Sequence, residues 1–232
     1  MTLDKILQSQ GFGTRKWCRQ LIRDGEVGIA GQVVTGFGDD LDATNLEFTV
    51  HDEPWVYREH VYVALHKPAD FECSRKPSHH PSVLTLLPEQ FAWRDVQPVG
   101  RLDHDTTGLL LLSDDGAFIH AQSSPKRHVP KTYLATTNEL VTPDLVAQLQ
   151  RGVKLIDEPL PLAAQARVLD KHLVEMILDQ GKYHQVKRML AAAGNHCVAL
   201  RRTAIGSLTL DALGLQTGEW CYLDQAQRTL LA

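Results

Sequence analysis

Three stretches carry side chains whose types and spacing could do chemistry. The run Gly100-Arg101-Leu102-Asp103-His104-Asp105-Thr106-Thr107-Gly108, followed by Leu109 to Leu112, sets a carboxylate beside an arginine in a polar loop that passes straight into an apolar strand. Such an arrangement holds one acid at a fixed point on a rigid sheet, where it could act as a nucleophile or a general base. An Asp ahead of a strand can equally be a turn former or a cap. Asp105 can fill that role too, and Arg101 can pair with either acid. Lys131-Thr132-Tyr133 offers a cation and an aromatic ring in a strand, although a strand tyrosine commonly just fills a core. Gly181-Lys182-Tyr183-His184-Gln185-Val186-Lys187-Arg188-Met189 gathers three cations and a His–Gln pair near the start of a helix. Anions are favoured at such an end by free backbone N–H groups and by the helix dipole; a solvated basic turn is the plainer alternative. Leu200-Arg201-Arg202 follows a strand-like run, Cys197 to Leu200.

Several chemistries are excluded. The chain has no GxGxxG and no GxxxxGK[ST], so no dinucleotide or nucleoside triphosphate site is signalled. It has no HExxH and no GxSxG. Its 11 histidines lack ligand spacing, and His79-His80 reads as loop surface, so no metal site is expected.

Elements must position these groups. Leu3, Ile6 and Leu7 fall at helical spacing, and Gly11-Phe12-Gly13 ends that helix. Thr14 suits the N-cap of a second helix from Arg15 to about Asp24, closed by Gly25. Trp17, Cys18, Leu21 and Ile22 form its expected buried stripe, with Arg15, Lys16, Arg19 and Arg23 mainly on the other side. That basic face is either plain solvated surface or a row of phosphate contacts. Val27–Ile29 and Gln32–Val34 read as two short strands round a turn. His51-Asp52-Glu53-Pro54 reads as a boundary, after which strand patterns dominate: 61–65, 109–112, 132–135 and 173–178. Helices are expected over 143–151, with Thr142 as cap and Pro143 as first residue, and over about 183–193. Strands and helices do not alternate strictly, which favours α+β with a mixed or antiparallel sheet over a doubly wound one.

Composition sets the outer bounds. A chain of 232 residues with 43% hydrophobic content can bury a substantial core. No run approaches the roughly 18 apolar residues of a membrane helix, and the N-terminus lacks a signal-peptide pattern. Four dispersed cysteines form no CxxC pair, which fits a reducing cytoplasm. The net charge of -4 hides segregation: four of the six Lys/Arg in residues 1–58 lie within 15–23, and six of the nine Asp/Glu lie within 39–53. Salt screens charges beyond about 8 Å, so local clusters matter more than the sum.

Taken in order, Gly-Arg-Leu-Asp-x-Asp-Thr-x-Gly-Leu at 100–109, Lys-x-Tyr at 131–133 and Gly-Lys-Tyr-His-Gln-Val-Lys-Arg-Met at 181–189 resemble the motifs of the RsuA-type pseudouridine synthases. The resemblance covers nearly the whole chain. It implies an S4-like RNA-binding α/β domain over 1–58 and a catalytic domain over 59–232, whose mixed, mainly antiparallel sheet is flanked by helices and loops. It implies that Asp103 is the catalytic aspartate, that Tyr133 stacks on the target base, and that Lys187 stands where related enzymes carry a basic partner of that aspartate. Leu200 would pack against the site; Arg101, Lys182, Arg188, Arg201 and Arg202 would contact substrate; Arg15, Lys16, Arg19 and Arg23 would contact RNA. One departure stands out: the usual Lys-Pro-x-Gly is Lys67-Pro68-Ala69-Asp70 here, and Asp tolerates a left-handed backbone better than most residues.

The implied activity is isomerisation of one uridine in ribosomal RNA, small-subunit 16S rRNA by the Gly194-Asn195-His196 run. The alternatives are a large-subunit 23S enzyme and a non-catalytic S4-type ribosome-assembly factor. The reaction leaves composition unchanged and demands no cofactor. A cytoplasmic monomer acting on rRNA, within an assembling subunit or free, completes the expectation. An ammonium beside Asp103 would favour the carboxylate, although lysine lacks arginine's bidentate fork, so a looser pairing is expected.

Overall fold

The computed structural model describes residues 1–37, 40–124 and 127–231. Asp39, one of the clustered acids, lies outside them. The chain divides into two compact units: Met1–Val61 with Leu87–Gln97, and Tyr62–Leu86 with the chain from Pro98 on. Among the described residues no helix is long and apolar enough to cross a membrane.

The first unit holds α1 (Leu3–Ser9), α2 (Arg15–Arg23), β1 (Val27–Ile29), β2 (Gln32–Val33), β3 (Glu47–Val50), β4 (Glu53–Val56) and α3 (Glu89–Trp93). Its sheet runs β2-β1-β3-β4, every pair antiparallel. Leu3, Leu7, Cys18, Leu21, Ile22 and Phe48 pack in its core. The Thr14 hydroxyl caps α2 by accepting from the Trp17 N–H. Two expectations need correction. Trp17 is not in the buried stripe but 57% exposed: it sits about a quarter-turn from the centre of the face made by Cys18, Leu21 and Ile22. His51–Pro54 is no boundary but the reversal of the β3–β4 hairpin. His51 and Asp52 both take positive φ there (52° and 64°), as tight hairpin turns demand.

Asp4, on α1, is 1% exposed. Its Oδ2 accepts from Arg15 Nε at 2.7 Å and Arg19 Nε at 2.8 Å, and Oδ1 accepts from the Thr2 hydroxyl at 2.6 Å. Burial alone would raise this carboxyl, but the hydrogen bonds from Thr2, Arg15 and Arg19 outweigh it and hold Asp4 well below the usual carboxylate range. A carboxyl depressed in the folded state contributes stability above its unfolded pKa of about 4 and loses it as pH falls further. The expected result is that acid unfolding of the first unit, begun below about pH 4, is blunted in Asp4→Asn, which starts less stable at neutral pH. Tryptophan fluorescence reads it, since Trp17, Trp55 and Trp93 lie in this unit and Trp220 in the other. Parallel acid titrations of the two proteins would count against this role.

The segment carrying α3 returns to the first unit through Arg94, whose guanidinium donates to Gln10 Oε1 (2.8 Å) and to the Arg58 and Glu59 carbonyls (2.8 and 2.9 Å).

The second unit is built on β5 (Tyr62–Lys67), β6 (Gln97–Val99), β7 (Thr107–Ser113), β8 (Lys131–Thr137), β9 (Gln165–Asp170), β10 (Leu173–Leu178), β11 (Cys197–Ile205), β12 (Leu208–Thr209) and β13 (Trp220–Tyr222). The order is β13-β5-β7-β11-β8-β10-β9, with β6 beside β7 and β12 beside β11. Along that path the neighbours are antiparallel except β7 and β11, which run parallel. This is the α+β class with a mixed, mainly antiparallel sheet. Helices α4 (Gly116–Ser123), α5 (Pro143–Arg151), α6 (Gln185–Ala192), α7 (Leu210–Leu213) and α8 (Gln225–Thr229) flank it. As expected, Thr142 caps α5 with Pro143 in its first turn. Helix α6 begins two residues later than its pattern suggests, because His184 is left-handed (φ 47°).

Leu109 to Leu112 of β7 are all buried, so both faces of this central strand are covered. Gly108 (φ 106°) admits the close approach of β11: a Cβ there would lie 2.1 Å from the Arg202 carbonyl oxygen.

Candidate active site

The loop from Gly100 to Thr106 joins β6 to β7 and is fastened from below. Lys67, at the end of β5, is fully buried. Its Nζ donates to the carbonyls of Pro68 (2.9 Å), His104 (2.8 Å) and Thr106 (2.9 Å), using all three donors on backbone. Burial pushes the Lys67 pKa down. The Leu102 N–H donates to the Cys73 thiol at 3.4 Å, and the Asp70 N–H donates to the His104 carbonyl at 2.8 Å. Asp70 takes the left-handed conformation (φ 63°) that a glycine would take there. Asp70, His80 and His104 place potential ligand atoms within 4.8 Å of one another. However, the His80 and His104 rings stack with only 11° between their planes. Lone pairs lying in parallel planes do not converge on one ion, so this trio reads as loop packing.

Asp103 faces two cationic or hydrogen-bonding groups from the 181–189 motif. Its Oδ1 lies 3.2 Å from His184 Nε2 and its Oδ2 lies 3.4 Å from Lys187 Nζ. Lys187 binds Asp105 more closely, donating at 2.7 and 2.8 Å to its two oxygens. Burial opposes the charge on Lys187, but the Asp105 hydrogen bond and the charges of Asp105 and Asp103 prevail and raise its pKa. Asp105 is lowered in turn: burial works against it, and the Lys187 contact wins. The lysine thus sits between two acids, held firmly by the more exposed one and loosely by Asp103.

Tyr133, Leu200, Arg101, Lys182 and Thr106 line one cavity with Asp103, of about 80 Å³. Tyr133 and Leu200 are buried. The Thr106 hydroxyl is buried without a hydrogen-bond partner among the described residues. A planar ring could lie against Tyr133 here while Asp103 meets an electrophilic carbon beside it.

Other residues singled out in the sequence fall elsewhere or are engaged. Lys182 pairs with Glu158 and Arg188 with Asp157, so two carboxylates of one loop hold both cations. Arg201 is exposed, whereas Arg202 is buried and donates from Nε to the Leu109 carbonyl at 2.8 Å. Arg15, Lys16, Arg19 and Arg23 belong to the first unit, where Arg15 and Arg19 are tied to Asp4 and Arg19 and Arg23 lie over the Phe37 ring. Sequence reading missed Lys67 and His184. His184 lies inside a quoted motif, but only its left-handed backbone turns it toward Asp103. A separate cavity of about 860 Å³ is lined by residues such as Gln150, Ala166, Arg167 and Glu175 and contains no motif residue.

Residues 61–192 match the family described as RNA pseudouridylate synthase. The ribosomal small subunit pseudouridine synthase A of Escherichia coli K12 is 39% identical over 223 residues, covering 95% of each chain. An uncharacterised RNA pseudouridine synthase of Bacillus subtilis is 35% identical over 236 residues, covering 100% of this chain and 98% of that one. A crystal structure of a pseudouridylate synthase superposes with a TM-score of 0.70 at 35% identity over the full length of both chains. With the family match, the sequence relatives and the fold in agreement, the chain belongs to the RNA pseudouridylate synthase family.

Proposed function

We propose that this enzyme converts one uridine of small-subunit ribosomal RNA to pseudouridine, with Asp103 as the reacting carboxylate. The observation that carries the proposal is the cavity in which Asp103, flanked by His184 and Lys187, shares walls with Tyr133 and Leu200. The substrate assignment rests on the small-subunit relative, whose similarity extends over both units.

The reaction breaks the bond between N1 of uracil and C1′ of the ribose, turns the base and rejoins it through C5. The C5 proton is released and N1 ends protonated, so atoms and electrons balance within the substrate. The target must first leave its stack, at a cost of a few kcal/mol that contacts to the RNA offset. Tyr133 supplies a stacking face that keeps the detached base in place. Asp103 acts ionised, as a nucleophile at C1′ or as a base at C2′. Lys187 and His184 steady its two oxygens. The first unit is read as an S4-type RNA-binding module working in the cytoplasm on rRNA, free or in an assembling subunit. In it the buried Asp4 fixes Arg15 and Arg19, leaving their outer edges and Lys16 and Arg23 for phosphates.

Pseudouridine has the mass of uridine, so the test is chemical derivatisation and mapping of rRNA from cells lacking this gene. One modified position should vanish from 16S rRNA and return with the wild-type gene but not with Asp103→Asn. Loss confined to large-subunit RNA would overturn the substrate assignment, and an unchanged rRNA map would remove rRNA as the substrate.

A further inference from the structure

Behind Tyr133 lies a second cavity, of about 120 Å³, that shares Arg101, Tyr133 and Gly181 with the Asp103 cavity. Lys131 and Tyr133 alternate onto one face of β8, and Arg202 of β11 stands directly opposite Tyr133 in the antiparallel register. Two cations and an aromatic ring therefore share one patch of sheet. Arg202 is 3% exposed, and beyond its bond to Leu109 its Nη2 has no hydrogen-bond partner among the described residues. Among the described residues Lys131 gives one hydrogen bond, to the Val129 carbonyl at 2.8 Å, which leaves two of its three donors. Burial first, and the Arg202 charge second, push its pKa down, against a smaller upward pull from the Asp179 carboxylate. Gln122 Oε1, in the same lining, is also buried and has no hydrogen-bond partner among the described residues. Asp179 is the one carboxylate among the lining residues, and it lies 3.2 Å from His128 Nδ1.

Burying a guanidinium donor without an acceptor, beside a second cation, is costly unless an anion completes the site. Arginine's fork matches the oxygens of a phosphate. Two of the cavity's lining residues, Arg101 and Ser123, are exposed, so it reaches solvent. We propose that this cavity binds a backbone phosphate of the RNA strand next to the target uridine, so that Tyr133 divides a base site from a phosphate site. The proposal rests on the reading of the Asp103 cavity as the uridine site. It gives Lys131 and Arg202 a role in gripping the strand while the base is turned.

Two variants of the full chain test it: Lys131→Gln, which removes a cation, and Gln122→Glu, which adds a carboxylate to the lining that Arg202 shares. Inorganic phosphate, titrated calorimetrically at low salt, should bind the wild type and bind either variant at least about tenfold more weakly. With RNA as substrate, phosphate should act as a competitive inhibitor. Both variants should raise KM by about tenfold with little change in kcat, and Lys131→Gln should lower the salt slope of RNA binding by about 1. Gln122→Glu should also raise Tm, because it adds a negative charge to a lining that holds Lys131 and Arg202. Higher stability together with weaker RNA use cannot come from misfolding. Equal phosphate binding by all three proteins overturns the proposal. Phosphate that binds without raising KM also overturns it, since the site would then serve a free anion. If no pseudouridine forms at all, the uridine reading fails, and the calorimetric comparison still reports on the cavity.

Discussion

Asp103→Asn is expected to lower pseudouridine formation by roughly 10³-fold or more while RNA binding stays within about twofold. The substitution keeps shape and can still meet His184 and Lys187, but it removes the charged oxygen pair that either chemical route needs. Asp105 provides the internal comparison. It holds Lys187 at shorter distances than Asp103 does, yet it does not line the Tyr133 cavity. Asp105→Asn is therefore expected to cost no more than about tenfold, through a less constrained Lys187. Single-turnover assays on the cognate RNA, paired with binding measurements, check both. Substantial turnover by a pure Asp103→Asn preparation would show that another group attacks the sugar, and a larger loss in Asp105→Asn than in Asp103→Asn would exchange their roles.

Lys67→Met is expected to be the most damaging change outside the cavity. The ammonium is fully buried, and its three donors hold three carbonyls, two of them in the Asp103 loop. Methionine fills similar space but leaves those carbonyls short of donors, at about 1–3 kcal/mol for each buried group left unpaired. Relief from burying a charge offsets part of this, so a net loss of about 2–4 kcal/mol and a fall in Tm of roughly 10 °C are expected. The loop then loses its floor. Displacing a reacting group by an ångström can cost about 10²-fold, so kcat should fall far more than KM rises. A Lys67→Met protein with the lower Tm but normal kcat would reduce Lys67 to a purely structural residue.

What could be read from the sequence follows from the range of the forces involved. The Asp103 loop, the Lys-x-Tyr strand and the 181–189 run are local patterns; Asp103, Tyr133 and Leu200 line one cavity, and Lys187 lies 3.4 Å from Asp103. Caps and turn residues are local too, which is why Thr14, Thr142 and the left-handed tolerance of Asp70 were legible. Tertiary partners were not. Nothing in one dimension shows that Lys187 grips Asp105, that Asp157 and Glu158 occupy Arg188 and Lys182, or that Asp4 reaches across to two arginines. Lys67 stands out in the sequence only as the start of Lys67-Pro68-Ala69-Asp70, with nothing to show the three carbonyls it meets. Arg202 reads as a substrate contact like Arg201, and nothing in the sequence shows that β7 and β8 on either side enclose it. Trp17 reads as core because hydrophobicity predicts burial in one direction only.

The return of residues 87–97 to the first unit bears on how this protein can be taken apart. A single cut near residue 58, where the two expected domains meet, would not yield two self-sufficient fragments. The C-terminal fragment would carry α3 away from its packing, with the otherwise buried Phe91 ring losing its cover. The N-terminal fragment would lose the Arg94 clasp on Gln10. The units are thus interlaced along the chain rather than strung in series. A nicking protease would leave the pieces associated, and a graft of the catalytic unit onto another RNA-binding module would have to replace the 87–97 excursion as well as the N-terminus.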